Sequence, residues 1–451
     1  MSGYAEYREV NLPWLKAVPA HWEIRRNKNI FTEQKEIVGE RSADYTLLSL
    51  TLNGIIPRDM DGGGKFPESF DKYKIVKNGD MAFCLFDIDE TPRTVGLSGY
   101  NGMLTGAYTI MRVSNINARF IYYYYLALDN GKMLRPLYTG LRKTININTF
   151  QSTKVPVPPR EEQDQIVRFL DWKVSSINKL INIKKKEIKA IDALKRSTVS
   201  HAITRGLTAN APMKYSGVKW LGDIPQRWYT VPLYAIAQVK SINNCIDLPL
   251  MSVYLDAGVV PFVEREEKRT NATSKDLTNY QRVDPGDFVL NNQQAWRGSV
   301  GVSFHSGIVS PAYIVLSLNK TLDSHYASYL FRSRCMVDQY LVISRGVGSI
   351  QRNLYWSALK RVVVPIPSKK EQMEIVEYLD GLNNKFDATI KKLTEEVAVL
   401  EEYKNKIIAD TVTGKIDVRG IEIPEYEFVD EDNDNVDENL EQGADEPPKE
   451  E

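Results

Sequence analysis

The side chains in this chain best suited to chemistry are those that match the edges of nucleic-acid bases. Arg and Lys pair with guanine, and Asn and Gln with adenine, two hydrogen bonds at a time. The densest group is Asn291-Asn292-Gln293-Gln294, followed by Trp296 and Arg297. Flanking polar segments add Arg265, Lys268 and Arg269 on one side, and Arg345, Ser349, Gln351 and Arg352 on the other. Earlier in the chain a second set comprises Arg58, Lys65, Arg93, Thr94, Arg142, Lys143 and Asn146. Polar loops are often merely solvated, so these residues are candidates for DNA contact, with the cluster from Gln293 to Arg297 foremost.

Motifs for catalysis are missing where an enzyme would carry them. Gly62-Gly63-Gly64-Lys65 has Asp59 and Phe66 where a phosphate loop needs Gly and Ser or Thr, so it reads as a turn. Gly346-Val347-Gly348 lacks a third glycine and opens no strand–helix unit. No Asn/Asp-Pro-Pro-aromatic sequence of an amino-methyltransferase occurs. His21, His201, His305 and His325 have no partners at metal-ligand spacing, so no metal site is expected. Glu187-Ile188-Lys189 resembles part of a nuclease motif but falls in a helical stretch and reads as a solvated face. Cys84, Cys245 and Cys335 are odd in number and far apart, which suits free thiols in a reducing cytosol.

Charge is segregated. The chain has 58 basic and 58 acidic residues, but residues 425–451 hold 13 acidic residues against Lys449 alone. Residues 1–424 therefore carry 57 basic against 45 acidic side chains. That excess favours a polyanion. The acidic stretch reads as a disordered extension, either a solubilising tail or a weak competitor for the basic surface. The N-terminus shows no export signal and no apolar run reaches the ~18 residues of a membrane span, so a cytoplasmic protein is expected.

The elements that position these groups occur twice. Leu15-Lys16-Ala17-Val18-Pro19-Ala20-His21-Trp22 returns as Leu221-Gly222-Asp223-Ile224-Pro225-Gln226-Arg227-Trp228, an offset of 206. Val155-Pro156-Val157-Pro158 and Gln163 return as Val364-Pro365-Ile366-Pro367 and Gln372, an offset of 209. Strands are expected at 45–50, 79–84, 107–113, 286–290 and 312–316, and helices at 121–128 and 326–331. Each repeat ends in a long helix. Apolar residues recur at Ile166, Leu170, Ile177, Leu180/Ile181, Ile188, Ile191 and Leu194, stopping at Gly206. They recur again at Ile375, Leu379, Leu382, Phe386, Ile390, Leu393, Val397, Leu400, Tyr403 and Ile407, stopping at Gly414. Steps of three and four over about five heptads predict a coiled-coil seam, about 60 Å long for ~40 residues. The alternative is two helices that each pack only on their own domain.

From Tyr215-Ser216-Gly217-Val218-Lys219-Trp220 through Trp228, from the two Pro-x-Pro…Gln segments, and from Thr411-Val412-Thr413-Gly414-Lys415-Ile416-Asp417, the chain resembles the specificity subunit of type I restriction–modification enzymes. The resemblance covers residues 10–418, and only the opening segment Trp14-Leu15-Lys16-Ala17-Val18-Pro19 departs from the pattern. It implies an α+β protein of two mixed α/β target-recognition domains in pseudo-twofold repeat, joined by two long helices as an antiparallel coiled coil. The expected division is 1–159, 160–206, 207–368, 369–414 and 415–451. The resemblance further implies a non-catalytic subunit in which each repeat reads half of a bipartite, asymmetric double-stranded DNA site. Two modification subunits using S-adenosylmethionine, and restriction subunits using ATP and Mg2+, would dock on it. A protein-only coiled-coil adaptor is the competing reading, and a diverged free-standing nuclease or methyltransferase a third.

Overall fold

The computed structural model describes residues 2–58, 67–138, 140, 143–262, 276–347 and 351–431. The chain forms two compact units, Met1–Lys186 with Leu393–Glu451, and Glu187–Lys392. The units cut across the division expected from sequence, because each takes part of both long helices. The expected turn at Gly62-Gly63-Gly64-Lys65 lies outside the described residues.

The first unit is built around a four-stranded antiparallel sheet in the order Phe31–Gln34, Thr109–Val113, Asp80–Phe83, Val95–Leu97. Met81, Ala82 and Phe83 are all buried, as a strand covered on both faces requires. Two smaller antiparallel pairs, Leu48–Thr51 with Gly54–Pro57 and Lys74–Val76 with Gly102–Leu104, extend the layer. The helix Ala118–Asn130 packs Phe120, Ile121, Tyr124, Tyr125 and Leu128 inward. Asn117 caps it by accepting from the Arg119 and Phe120 amides. Phe31, Phe83, Tyr125 and Phe150 meet in an aromatic knot with ring centroids 4.8–5.9 Å apart.

The second unit repeats this plan. Its sheet runs Ala237–Val239, Tyr313–Leu318, Phe288–Asn291, Val300–Val302. Its pairs are Met251–Tyr254 with Gly258–Pro261 and Gln281–Val283 with Gly307–Val309. Asp323 caps the helix Ser324–Arg332 as Asn117 does in the first unit. An added helix, Arg334–Ile343, and a strand pair, Arg345–Val347 with Gln351–Asn353, belong to this unit. The strands and short helices expected from sequence are all present, with ends shifted by a few residues.

The Pro-x-Pro strands and the Gln that follows act as one joint. Lys154–Val157 pairs with Glu23–Arg26, and Val363–Ile366 with Tyr229–Pro232. The Gln163 side chain donates to Pro158 O (2.8 Å) and accepts from the Asn117 amide (2.8 Å). Gln372 does the same with Pro367 O (3.0 Å) and the Asp323 amide (2.7 Å). One buried amide thus ties strand, capping residue and long helix together in each unit. Beside it, Glu162 accepts from Tyr4, Trp22 and His21, and Glu371 from Arg227.

The long helices are Arg160–Arg205, 46 residues, and Lys369–Val412, 44 residues. Within the first unit residues 160–186 run antiparallel to 393–412, with Lys184 3.1 Å from Glu396. Within the second, 187–205 lie against 369–392, with Lys195 2.6 Å from Asp387. Ile166, Leu170, Ile177, Ile181, Ile375, Leu379, Leu393 and Ile407 are buried as expected. Leu180, Leu194 and Tyr403 are not; they are 49, 54 and 46 % exposed. A two-helix contact buries only a narrow stripe, and neighbours take the inward places: Ile181 for Leu180, and Lys404 for Tyr403. Gly206 and Gly414 end the helices at φ +72° and +75°. A Cβ at Gly414 would sit 2.4 Å from Pro19, so the left-handed stop there also needs the small residue.

The described beginning of the acidic C-terminal stretch departs from expectation. Residues 425–431 are not a free tail but lie along the first long helix. Ser175 donates to Glu427 O (3.0 Å) and accepts from the Val429 amide (2.8 Å). Asn178 and Asn182 donate to Val429 O (3.3 Å) and Asp430 O (2.8 Å). Glu431 meets Lys185 and Lys404. Val418, Ile421 and Ile423 anchor this strap in the core of the first unit. Residues 432–451 lie outside the described residues.

Candidate nucleic-acid interface

In the second unit the strand Phe288–Asn291 delivers the polar cluster to a tight turn. Asn291 accepts from the Gln293 amide (3.1 Å), and a 3-10 turn, Ala295–Arg297, ends at Gly298 with φ +109°. The left-handed residue reverses the chain and leaves Gln293 and Arg297 exposed, with Asn292, Gln294 and Trp296 half-buried. The Trp296 indole donates to Gln293 O (2.9 Å), and the Arg297 guanidinium stands 4.7 Å from its ring centre. A contact at that distance is a cation–π interaction, which favours this placement of the guanidinium. Asn292 Oδ1 is buried without a hydrogen-bond partner among the described residues.

The strand pair from 345 to 353 stands beside this turn, because the Leu354 amide donates to Asn292 O (2.9 Å). Arg345 is exposed on that pair. Arg352 is half-buried and donates to Leu341 O (3.3 Å). The backbone of Gln351 pairs with Val347. Ser349, Arg265, Lys268 and Arg269 lie outside the described residues. The structure thus joins two of the three sequence segments of this set into one polar surface.

The first unit has the same scaffold, with the Ile145 amide donating to Leu85 O (2.8 Å) in the corresponding place. Its loop chemistry is different. Thr94 is buried, and its hydroxyl and amide both donate to Asp129. Arg93 donates to Asp129 (3.1 Å) and Asn130 (2.7 Å) and is only 14 % exposed. Lys132 completes the set around Asp129 at 2.9 Å. A buried carboxylate needs such donors, so in this structure the Thr94 and Arg93 side chains are engaged within the fold. Lys143, at φ +47°, stands 3.4 Å from Asp89, which also takes Arg135 (3.0 Å) and Tyr138 (2.7 Å). The Tyr138 hydroxyl, with Arg135 and Lys143, holds the Asp89 carboxyl below the usual carboxylate range. The hydrogen bond to Asp89 likewise raises the Lys143 ammonium. Asn146 is exposed and caps the short helix Ile147–Ser152 through the Asn148 amide (2.9 Å). Arg58 is half-buried. Lys65 and Arg142 lie outside the described residues.

Asp129 and Asp89, which organise this loop, are not among the candidate site residues: Asp129 stands alone in a helix, and in the acidic segment Asp87-Ile88-Asp89-Glu90 spacing does not mark which carboxylate gathers the cations. Among the described residues no group of three or more His, Cys, Asp or Glu is placed to hold a metal, and no helix is long and apolar enough to cross a membrane.

Known proteins share this architecture. The type I restriction modification DNA specificity domain matches residues 70–215 and 225–399. The chain belongs to that family. A relative, the type I restriction enzyme MjaVIII specificity subunit of Methanocaldococcus jannaschii, is 24 % identical over 441 residues, covering 92 % of this chain and 98 % of its own. The StySPI specificity subunit of Salmonella potsdam is 21 % identical over 210 residues, 43 % of this chain and 44 % of its own. A solved chain described in connection with complex assembly and conformational transition of the type I R-M system superposes with a TM-score of 0.60 at 14 % identity, covering 88 % of this chain and 99 % of that one. The specificity subunit therefore carries two target-recognition domains and no catalytic activity of its own; methylation and cleavage lie on partner subunits.

Proposed function

We propose that each unit of this specificity subunit reads one half of a bipartite, asymmetric DNA site, and that the long helices set the unspecified spacer and dock two modification subunits. Restriction subunits join that assembly. S-adenosylmethionine, ATP and Mg2+ act on the partners, and the complex works in the cytoplasm, where the DNA is. What supports this reading is one scaffold repeated with divergent loops: Gln293 and Arg297 are exposed beside Trp296 in the second unit, whereas in the first Asp129 takes Arg93 and Asp89 takes Arg135. Shared strands with different polar loops are what two readers of different sequences require.

The direct candidates for base contact are Gln293, Gln294, Trp296, Arg297, Asn292 and Arg345 in the second unit, with Lys143, Asn146 and Arg58 in the first. Long-read methylation mapping of cells expressing this chain with a modification subunit tests the reading. The expected result is one two-part motif with adenine methylated in each half. A single continuous motif, or no dependence on this chain, would refute it. Gel-shift titration against salt separates it from the protein-only adaptor. DNA readout demands a slope of several log units in affinity per log unit of salt.

A further inference from the structure

In the second unit an open cleft of about 620 Å³ is lined by Tyr234, Gln238, Val239, Trp356, Lys360 and Arg361, among others. Its position follows from the fold. The Tyr234 amide donates to Lys360 O (3.0 Å), so the turn before the sheet's edge strand faces the short helix Trp356–Leu359. The segment just ahead of that helix donates through Leu354 to Asn292 O, on the base-reading turn. Cleft and turn are therefore neighbours on either side of one short segment.

The chemistry of the cleft is specific. Tyr234 is 60 % exposed, so its ring face is open to a ligand. Arg361 is exposed and Lys360 half-exposed, and neither has an acidic partner among the described residues. Many other cations here are paired: Arg93 with Asp129, Arg112 with Asp80, Lys240 with Asp284 and Asp287. Adjacent unpaired cations beside one exposed and one half-buried ring, Tyr234 and Trp356, match a sugar–phosphate backbone, which offers anionic oxygens and an apolar deoxyribose edge.

The repeat supplies an internal comparison. At offsets of 206 and 209, Tyr234, Gln238 and Val239 correspond to Lys28, Thr32 and Glu33, and Trp356, Lys360 and Arg361 to Ile147, Gln151 and Ser152. The scaffold there is the same: the Asn27 amide donates to Thr153 O as the Leu233 amide donates to Val362 O. The first unit thus has neither the rings nor the adjacent cations; at these positions it carries a single cation, Lys28, and Glu33, which pairs with Lys35 at 3.4 Å.

We propose that this cleft is a DNA-backbone clamp peculiar to the second unit, with Lys360 and Arg361 each meeting a phosphate and Tyr234 and Trp356 flanking the intervening sugar. The proposal rests on the DNA reading above and adds to it a grip that is independent of sequence. It makes the two half-sites unequal in affinity: the second unit holds its DNA more tightly and with steeper salt dependence.

The test uses the full chain and a duplex in gel-shift titrations from low to physiological salt. Lys360→Gln with Arg361→Gln should flatten the slope of log affinity against log salt by about 1.8, two phosphates at about 0.9 each. The loss should be equal for specific and unrelated duplexes. Each single change should give half of it, so the result does not depend on the double variant alone. Tyr234→Ala should weaken binding several-fold and leave the slope unchanged. Wild-type slope and affinity within twofold in the double variant would overturn the clamp while leaving base reading intact. A wild-type chain with no salt-dependent binding would overturn the DNA reading and the clamp together.

Discussion

At the scale of single residues, display and support can be told apart. Arg297, exposed and held over Trp296, is displayed. Arg297→Ala should change the stability measured by chemical denaturation by no more than about 0.5 kcal/mol, as surface changes do. It should lower discrimination at one base pair by about 1–3 kcal/mol, read by competition between duplexes differing at that pair. Asp129 is support. Asp129→Ala strands the buried Thr94 hydroxyl and two cations, and should cost about 3 kcal/mol or more in chemical denaturation. Cys84 is buried, and that burial raises its thiol to about 11. It should resist alkylation at pH 8 until the protein unfolds. The unfolded thiol ionises near its ordinary pKa, so between that value and about 11 the unfolded chain releases a proton that the folded one keeps. This contribution to stability is full at neutral pH and declines as pH rises through the window, measurable as a Cys84→Ala difference in denaturant midpoint.

At the scale of elements, most of the design was legible and the exceptions have physical causes. The strand–helix skeleton and both long helices follow from periodicity, because apolar spacing directly encodes which face is buried. The strap was not legible. Its sequence is acidic and polar, and its docking uses its main chain, which composition does not report. The ladder that receives it, Ser175, Asn178 and Asn182, looked like ordinary helix surface, although spacings of three and four place all three on one face. Thr94 and Arg93 show the mirror case: a polar loop segment turns inward where the buried Asp129 carboxylate accepts from it. The strap should be released by Asn178→Ala with Asn182→Ala. Hydrogen exchange at the Val429 amide should then quicken, about tenfold for each 1.4 kcal/mol of lost contact. Burial raises the Glu431 carboxyl, but Lys185 and Lys404 outweigh it and leave it below the ordinary carboxylate value. The Glu431 anchor therefore holds fully above that value and weakens as pH falls through the lowered one. Val429 exchange, corrected for its intrinsic pH dependence, should report the loosening.

At the scale of the whole molecule, the duplication was the strongest sequence signal and the identity of individual contacts the weakest. Offsets of 206 and 209 registered two copies across the chain, yet a loop's target depends on geometry that spacing does not contain. If the helices set the spacer, inserting one turn of four residues, ~6 Å of rise, into each should change the unspecified gap in the methylated motif and preserve both halves. Mapping that returned the original gap would exclude the ruler.

The two units differ in one further respect. The second is a single unbroken stretch, Glu187–Lys392, whereas the first is assembled from both ends of the chain. On a ribosome the second can therefore finish folding while the first still waits for its closing helix half and strap. Residues 1–186 would meanwhile lack Ile407, Ile408, Val412 and Val418, which share their hydrophobic core, a state open to chaperones or to aggregation. Order of completion thus runs against order along the chain, because residues 393–431 close the unit that the opening residues begin.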